Sequence, residues 1–354
     1  MSKAAELAAL IGSSTGLSNR NLIINGEMQV AQRGTVTGVT NAYGGPDRYQ
    51  FSRSGAAAVS LSQDTTVPSN QGFTTSLKID VTTADSSLAA GDYAMIRQRI
   101  EAQNLQHLLY GSSGAKTLTL QFWVRSPKVG SHICELYHDD ATYFNSQVYS
   151  IASADTWQKV TLTFDGYQTT AFNNDNGIGL AIDWWLAAGS TYSGGTLSSN
   201  TWHNTQANRA VGQVNAVDNT SNNFYLTGVQ LEVGEQATSF EHRSDADELQ
   251  RCKRYFQTYN EPPARGVTSG GGTDRMAFML PVTMRAAPSV TMSGTLNWYD
   301  GAAVGTITSL SATYTEPHSV EFDASAASGS SSAGRGMVIY NASADGTLNM
   351  DAEL

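Results

Sequence analysis

An all-β chain of two domains is predicted by three features of the sequence. Apolar residues recur at every second position over many short stretches, the pattern of strands with one buried side. Charged residues make up only 15% of the chain, and Ser, Thr, Asn and Gly take their place, as suits exposed strand faces and turns. The third is length: 354 residues exceed a single core at roughly 150 residues per domain.

Taken in order, residues 1–20 carry Ala4, Leu7, Ala8 and Ile11 at helical spacing, so a short amphipathic helix is expected there. Its apolar stripe needs a cover: copies of itself in identical subunits, a larger particle that anchors it, or the protein's own sandwich. Residues 21–240 are expected to form an antiparallel sandwich. The apolar run Asn21 to Val30 should supply an early strand, and Gly44-Gly45-Pro46 a turn. Val59 and Leu61, then Leu77, Ile79 and Val81, then Ile96 and Ile100 follow with period two. Leu118, Leu120, Phe122 and Val124 share one face, leaving Thr119, Gln121, Trp123 and Arg125 on the other. Val160, Leu162 and Phe164 repeat the pattern. Ile178, Leu180, Ile182, Trp184 and Leu186 share a face, with Asp183 and Trp185 opposite. Residues 187–222, rich in Gly, Ser, Thr and Asn, make a long loop of the kind that binds something or moves.

In Asn223 to Val233 the inward parity changes between Leu226 and Val229, which places a β-bulge at Gly228. Ser244 and Asp247 have the spacing of a helix cap, Leu249, Cys252 and Phe256 recur as on a helix, and Pro262-Pro263 closes the stretch. Residues 241–260 are therefore expected to be a linker helix. Residues 261–354 read as a second small β-sandwich, with strands expected at 276–282, 289–292, 295–299, 304–310, 319–322 and 336–341. Residues 324–334, only Ala, Ser and Gly, read as a loop.

Composition excludes several functions. A net charge of −10 without a basic patch argues against nucleic-acid binding. Cys134 and Cys252 make no disulfide framework. The apolar start is broken by Glu6 and too short to span a bilayer, so neither membrane insertion nor a secretion signal is expected. No phosphate-binding loop, Gly-x-Ser-x-Gly elbow or His-Glu-x-x-His pair occurs, and no enzyme is expected. Asp139, Asp140 and Asp183 read as hydrogen-bonding groups rather than glycosidase acids. His132 and Cys134 would share a strand face near His138, but nothing supplies further ligands, so no metal is expected.

The aromatic residues carry the functional argument. A sugar ring presents C–H bonds on its face and hydroxyls at its edge, so its site needs an exposed aromatic plate beside Asn, Asp, Gln or Arg. Trp123 with Gln121 and Arg125, and Trp185 with Asp183, meet this on sheet faces; Tyr192, Trp202 and His203 meet it on the long loop. The competing reading covers these rings with another subunit or with the loops themselves.

Asn21-Leu-Ile-Ile-Asn-Gly26, Ala31-Gln-Arg-Gly34, Asp47-Arg48-Tyr49, Thr227-Gly-Val-Gln-Leu-Glu-Val-Gly234, Phe240-Glu-His-Arg243 and Glu248-Leu-Gln-Arg-Cys-Lys-Arg-Tyr-Phe256 together resemble tail fibre proteins of bacteriophages, especially marine and cyanobacterial phages. Leu280-Pro-Val-Thr-Met-Arg-Ala-Ala-Pro288 is similar to the start of their C-terminal domain. The sandwich is similar to galactose-binding-like jelly rolls of carbohydrate-binding modules. The resemblance implies a jelly roll in a homotrimeric virion appendage that adheres to a bacterial surface glycan. It also implies attachment to other tail proteins through the N-terminus, and the likeness to such jelly rolls makes a structural calcium conceivable; the polar composition without a secretion signal fits a product released extracellularly by lysis. A purely structural virion component without glycan recognition is the alternative, and a polysaccharide depolymerase a further one. The family has no single sugar-site motif, so the candidate residues rest on parity and loop placement alone.

Overall fold

The computed structural model describes residues 19–270, 273–326, 333–340 and 346–354. The expected helix over residues 1–20, with Ala4, Leu7, Ala8 and Ile11, lies outside the described residues. The chain divides into two compact units, Met1–Asp245 and Ala246–Leu354.

The first unit is an antiparallel jelly-roll sandwich. Its strands, in order, are β1 (Val36–Val39), β2 (Ala42–Tyr43), β3 (Gln50–Ser54), β4 (Ala58–Asp64), β5 (Ser76–Thr83) and β6 (Tyr93–Glu101). β7 (Leu118–Arg125), β8 (Gly130–His138), β9 (Tyr143–Ile151), β10 (Gln158–Phe164), β11 (Ile178–Ala188) and β12 (Asn223–Val233) complete it. Sheet one runs β1-β4-β5-β12-β7-β10 and sheet two runs β2-β3-β6-β11-β8-β9. The alternation read from sequence sets the inner layer: Leu118, Leu120, Phe122 and Val124 of sheet one join the same core as Ile96, Leu180, Ile182 and Trp184 of sheet two. Phe122 meets Trp184 edge-on at 5.9 Å and Tyr149 at 5.3 Å. Each such side chain contributes about 1.5–3 kcal/mol by leaving water.

The bulge expected at Gly228 is present. The register between β12 and β7 shifts between Thr227 and Gln230, and Gly228 has φ +61°, where a Cβ is strained. Phe224 and Leu226 before it, and Val229 and Leu231 after it, all face the core.

The strand expected at Asn21 to Val30 does not form. Asn25 and Met28 take left-handed backbone conformations, and side chains replace ladder bonds. Asn21 Oδ1 accepts from the backbone N–H of Ile23 and of Leu231, both at 3.0 Å, while its Nδ2 donates to Val229 O at 3.1 Å. The backbone adds Leu22 N–H to Leu231 O and Val229 N–H to Gly26 O, each 2.9 Å. A Cβ on Gly26 would lie 2.2 Å from Val229 O, so only glycine allows this approach. Glu241 accepts from the Asn21 N–H at 2.8 Å, and Arg243 donates to Ile23 O at 3.0 Å. The Asn21 to Gly26 and Phe240 to Arg243 blocks thus clasp each other across the last strand.

The helix after Ser244 is Asp245–Lys253, shorter than the 241–260 expected, because Phe256 starts a strand instead of another turn. The second unit is all-β. β13 (Phe256–Tyr259), β21 (Thr347–Asp351) and β16 (Ser289–Ser293) form a three-stranded sheet. β14 (Arg265–Val267), β15 (Thr273–Met279), β19 (Ser319–Ala326), β18 (Val304–Glu316), β17 (Leu296–Tyr299) and β20 (Gly336–Tyr340) close into a barrel, which leaves that sheet no open edge. Trp298, Phe322, Met276 and Ile339 are in its core. Ala324 to Ala326 extend a strand; residues 327–332 of the expected loop lie outside the described residues.

Replacing Asn21 by Ala strands the buried Leu231 N–H and Val229 carbonyl, and urea unfolding should show a loss of about 2–4 kcal/mol; a cost below about 0.5 kcal/mol would show the clasp to be dispensable. His132 and His138 are fully buried on the core side of β8, and burial holds both imidazoles below the ordinary 6.5. The unfolded chain takes up protons as pH falls through 6.5 while the native one does not, so their stability contribution is lost below that pH. The melting temperature should fall between about pH 7 and pH 5, and less steeply in a His132→Gln, His138→Gln variant; equal slopes would contradict this.

Candidate functional site

On the outer face of sheet two, a row of polar residues crosses four strands. Arg97 of β6 lies opposite Asp183 of β11, Asp183 opposite Glu135 of β8, and Glu135 opposite Ser146 of β9. Because Leu180, Ile182 and Trp184 point into the sandwich, Asp183 points out of it. Adjacent carboxylates on neighbouring strands repel, and both are fully buried.

Two arginines neutralise them. Arg97 grips Asp183 through Nε at 2.5 Å and Nη2 at 2.6 Å. Arg209, from the long loop, binds Glu135 through Nη2 at 2.6 Å and Nε at 3.1 Å, and reaches within 3.7 Å of Asp183. The Ser146 hydroxyl donates to Glu135 at 3.0 Å. Burial pushes the Glu135 carboxyl above its ordinary 4.5 while Arg209 opposes it. Burial also works against charge on Arg97, but Asp183 overrides it and raises its pKa.

Arg209 lies 4.0 Å from the centre of the Phe144 ring and 5.1 Å from that of Trp185. Tyr192 stands 5.5 Å from both Tyr93 and Trp185. The loop is fixed by Ala210 N–H to Tyr192 O at 2.9 Å and Val214 N–H to Ser131 O at 3.0 Å. What remains open is a pocket of about 230 Å³ lined by Tyr93, Arg97, Tyr137, Tyr192, Gln206 and Arg209, among others. Carboxylates lie at the floor and guanidiniums above them, so the open side carries donors and aromatic rings.

The sequence-predicted residues do not form one site. Tyr192 lines this pocket; Asp183 and Trp185 lie beneath it with no exposed surface, so they support it without reaching a ligand. Gln121 and Trp123 lie on the outer face of the other sheet, in a separate cleft. Arg125 stacks over Tyr225 at 4.9 Å and binds Asp155 at 3.1 Å. Trp202 is no open plate: it packs 5.4 Å from Tyr167 and 5.9 Å from Tyr110 and donates to Asp165 O at 2.6 Å. His203 exchanges backbone hydrogen bonds with Phe144. Sequence reasoning missed Tyr93, Arg97, Tyr137, Gln206 and Arg209. Outward parity beside Ile96 could have flagged Arg97; no periodicity marks Arg209. Among the described residues no three His, Cys, Asp or Glu side chains gather to hold a metal.

No protein-family model matches the chain, and no curated protein does. Solved structures to which the chain is similar include the enzymatically active domain of tailspike protein 4 from bacteriophage CBA120, at 14% identity and a TM-score of 0.33. That match covers 61% of this chain but only 22% of the tailspike chain. A family 11 carbohydrate-binding module of a Clostridium thermocellum cellulase is similar at 12% identity and a TM-score of 0.29, over 58% of this chain and 97% of the module. A family 61 module in complex with β-1,4-galactotriose is similar at 10% identity and a TM-score of 0.31, over 61% and 100%.

Removing Arg209 should be costly, since Arg209→Ala leaves two adjacent buried carboxylates with one cation. Denaturant unfolding is expected to show a loss of about 3–5 kcal/mol, partly recovered by adding Glu135→Gln. Strictly additive effects of the two substitutions would contradict the coupling.

Proposed function

We propose that the first unit is a carbohydrate-binding module and that the chain serves as a phage tail fibre protein. In this reading it adheres as a homotrimer to a bacterial surface polysaccharide without cleaving it. One observation carries the proposal: three tyrosines, Tyr93, Tyr137 and Tyr192, surround two arginines that buried carboxylates hold in place. Aromatic rings take the C–H face of a sugar, while Arg97 and Gln206 offer donors to its hydroxyls. Side chains ordered before binding lose little entropy on binding, which suits a shallow site. Three such sites on one appendage would multiply a weak single-site affinity.

The segment carrying Ala4, Leu7, Ala8 and Ile11 is proposed as the trimerisation and virion-attachment element, joining the chain to other tail proteins. Leu7→Lys with Ile11→Lys should then convert a trimer to a monomer in sedimentation; a wild-type monomer would end the trimer proposal. For glycan binding, the test is adsorption of the full chain to host cells and immobilised surface polysaccharide. Tyr192→Ala and Gln206→Ala should each weaken binding by roughly fivefold, about 1 kcal/mol, at a temperature where thermal melts show each variant still folded. Reducing ends should not accumulate. Adsorption unaltered in the double variant would remove this pocket from the account.

A further inference from the structure

A second cleft opens on the opposite side of the sandwich, and its walls follow from the bulge in β12. On the outer face of sheet one, Thr227, Trp123 and Lys159 lie side by side on β12, β7 and β10. The chain beyond β12 folds back over part of this face. Gln121 Nε2 donates to Thr238 O at 2.8 Å, the Thr119 hydroxyl to Gly234 O at 2.7 Å, and Thr238 N–H to Glu232 Oε1 at 2.8 Å. Gln121, Thr119 and Glu232 are thereby buried, while Trp123 stays half-buried.

The folded-back chain ends in a wall of rings. Phe240 meets Phe73 edge-on at 5.1 Å, and His242 lies 5.0 Å from Phe240 and 5.7 Å from Phe73. His242 Nδ1 is held 2.9 Å from Glu27 Oε1, which fixes the imidazole's orientation. Gly228 makes the arrangement compatible with the backbone: a Cβ there would sit 2.6 Å from Phe73 and 3.0 Å from Trp123. The resulting cleft of about 320 Å³ is lined by Gln71, Trp123, Lys159, Ser239, Phe240 and His242, among others. Its size is at the lower end of the roughly 300–1,000 Å³ of ligand sites.

We propose that this cleft is a second carbohydrate site, selective for a pyranose bearing an acidic group. The indole of Trp123 takes the ring's C–H face, and Gln71, Ser239 and His242 offer edges for its hydroxyls. Lys159 is exposed and takes part in no ion pair among the described residues, in a chain of net charge −10. A local cation without a protein counter-ion beside an aromatic plate suits a uronate better than a neutral sugar. Because the two outer faces of a sandwich point away from each other, a chain with both sites bridges separate polysaccharide strands. The cleft shares no residue with the pocket around Arg209, and its assignment stands without that one.

The test is an NMR titration of the full-length protein with methyl glycosides of glucuronic and galacturonic acid, using methyl glucoside and methyl galactoside as neutral counterparts. The indole N–H signal of Trp123, assigned by its absence in Trp123→Phe, should shift saturably with a uronoside and at least about threefold more weakly with its neutral counterpart. Lys159→Gln should abolish that preference, and Trp123→Ala should abolish binding at the cleft while a Tyr192→Ala chain retains it. Thermal melts confirm that each variant folds. No saturable shift with any of the four glycosides, or no acidic preference in the wild type, would overturn the proposal.

Discussion

Two carboxylates that face each other out of water set the terms for one whole side of the first unit. Asp183 and Glu135 are neighbours across β11 and β8, and neither can remain charged there without a cation close by. Arg97 is supplied by the adjacent strand, but Arg209 must come from a loop some seventy residues away from Glu135 in sequence. The ion pair therefore fixes the loop. Once Arg209 is placed, it draws Phe144, Trp185 and Tyr192 around its guanidinium, and the pocket is what the covered surface leaves open. Buried pairs of this kind contribute little net stability over an apolar equivalent, so what they give here is a defined position for a loop.

Sheet one meets a different constraint. Its last strand carries an extra residue at Gly228, and the bulge keeps Val229 and Leu231 in the core after the parity change. Beyond the bulge β12 loses β5 as a partner, and Asn21 and Gly26 of the irregular N-terminal segment bond the freed groups. The same glycine leaves room for Phe73 and Trp123 to flank it. One backbone irregularity thus completes a core, docks residues 21–26 and shapes a cleft.

Much of the fold was legible because strands with one buried side write their orientation into alternate residues. Leu118 to Val124, Val160 to Phe164 and Leu180 to Leu186 sit where parity put them, and so does the bulge. Short strands left no such mark: Phe256–Tyr259 and Arg265–Val267 are too brief for a period. Asn21 to Val30 misled because apolar residues mark burial, whereas the backbone N–H groups of Ile23 and Val30 go to Asn side chains instead of a ladder, which no period reveals. At the site, alternation gave the correct face for Asp183, Trp185 and Trp123 but said nothing of what lies on top. Asp183 and Trp185 proved to be floor, and Trp202 was absorbed into the packing of its own loop. The partner that matters most, Arg209, is a lone arginine in a polar loop, recognisable only once the carboxylates beneath it are known.

Hydrogen exchange of the full-length protein, with and without host surface polysaccharide, reads directly whether the pocket around Arg209 takes up sugar. If sugar binds among the tyrosines around Arg209, amides in Tyr93–Glu101, in Gly130–His138 and in residues 190–210 should gain protection together on adding polysaccharide. Binding that leaves all three segments unprotected would show that the charged row across sheet two serves only to hold a loop.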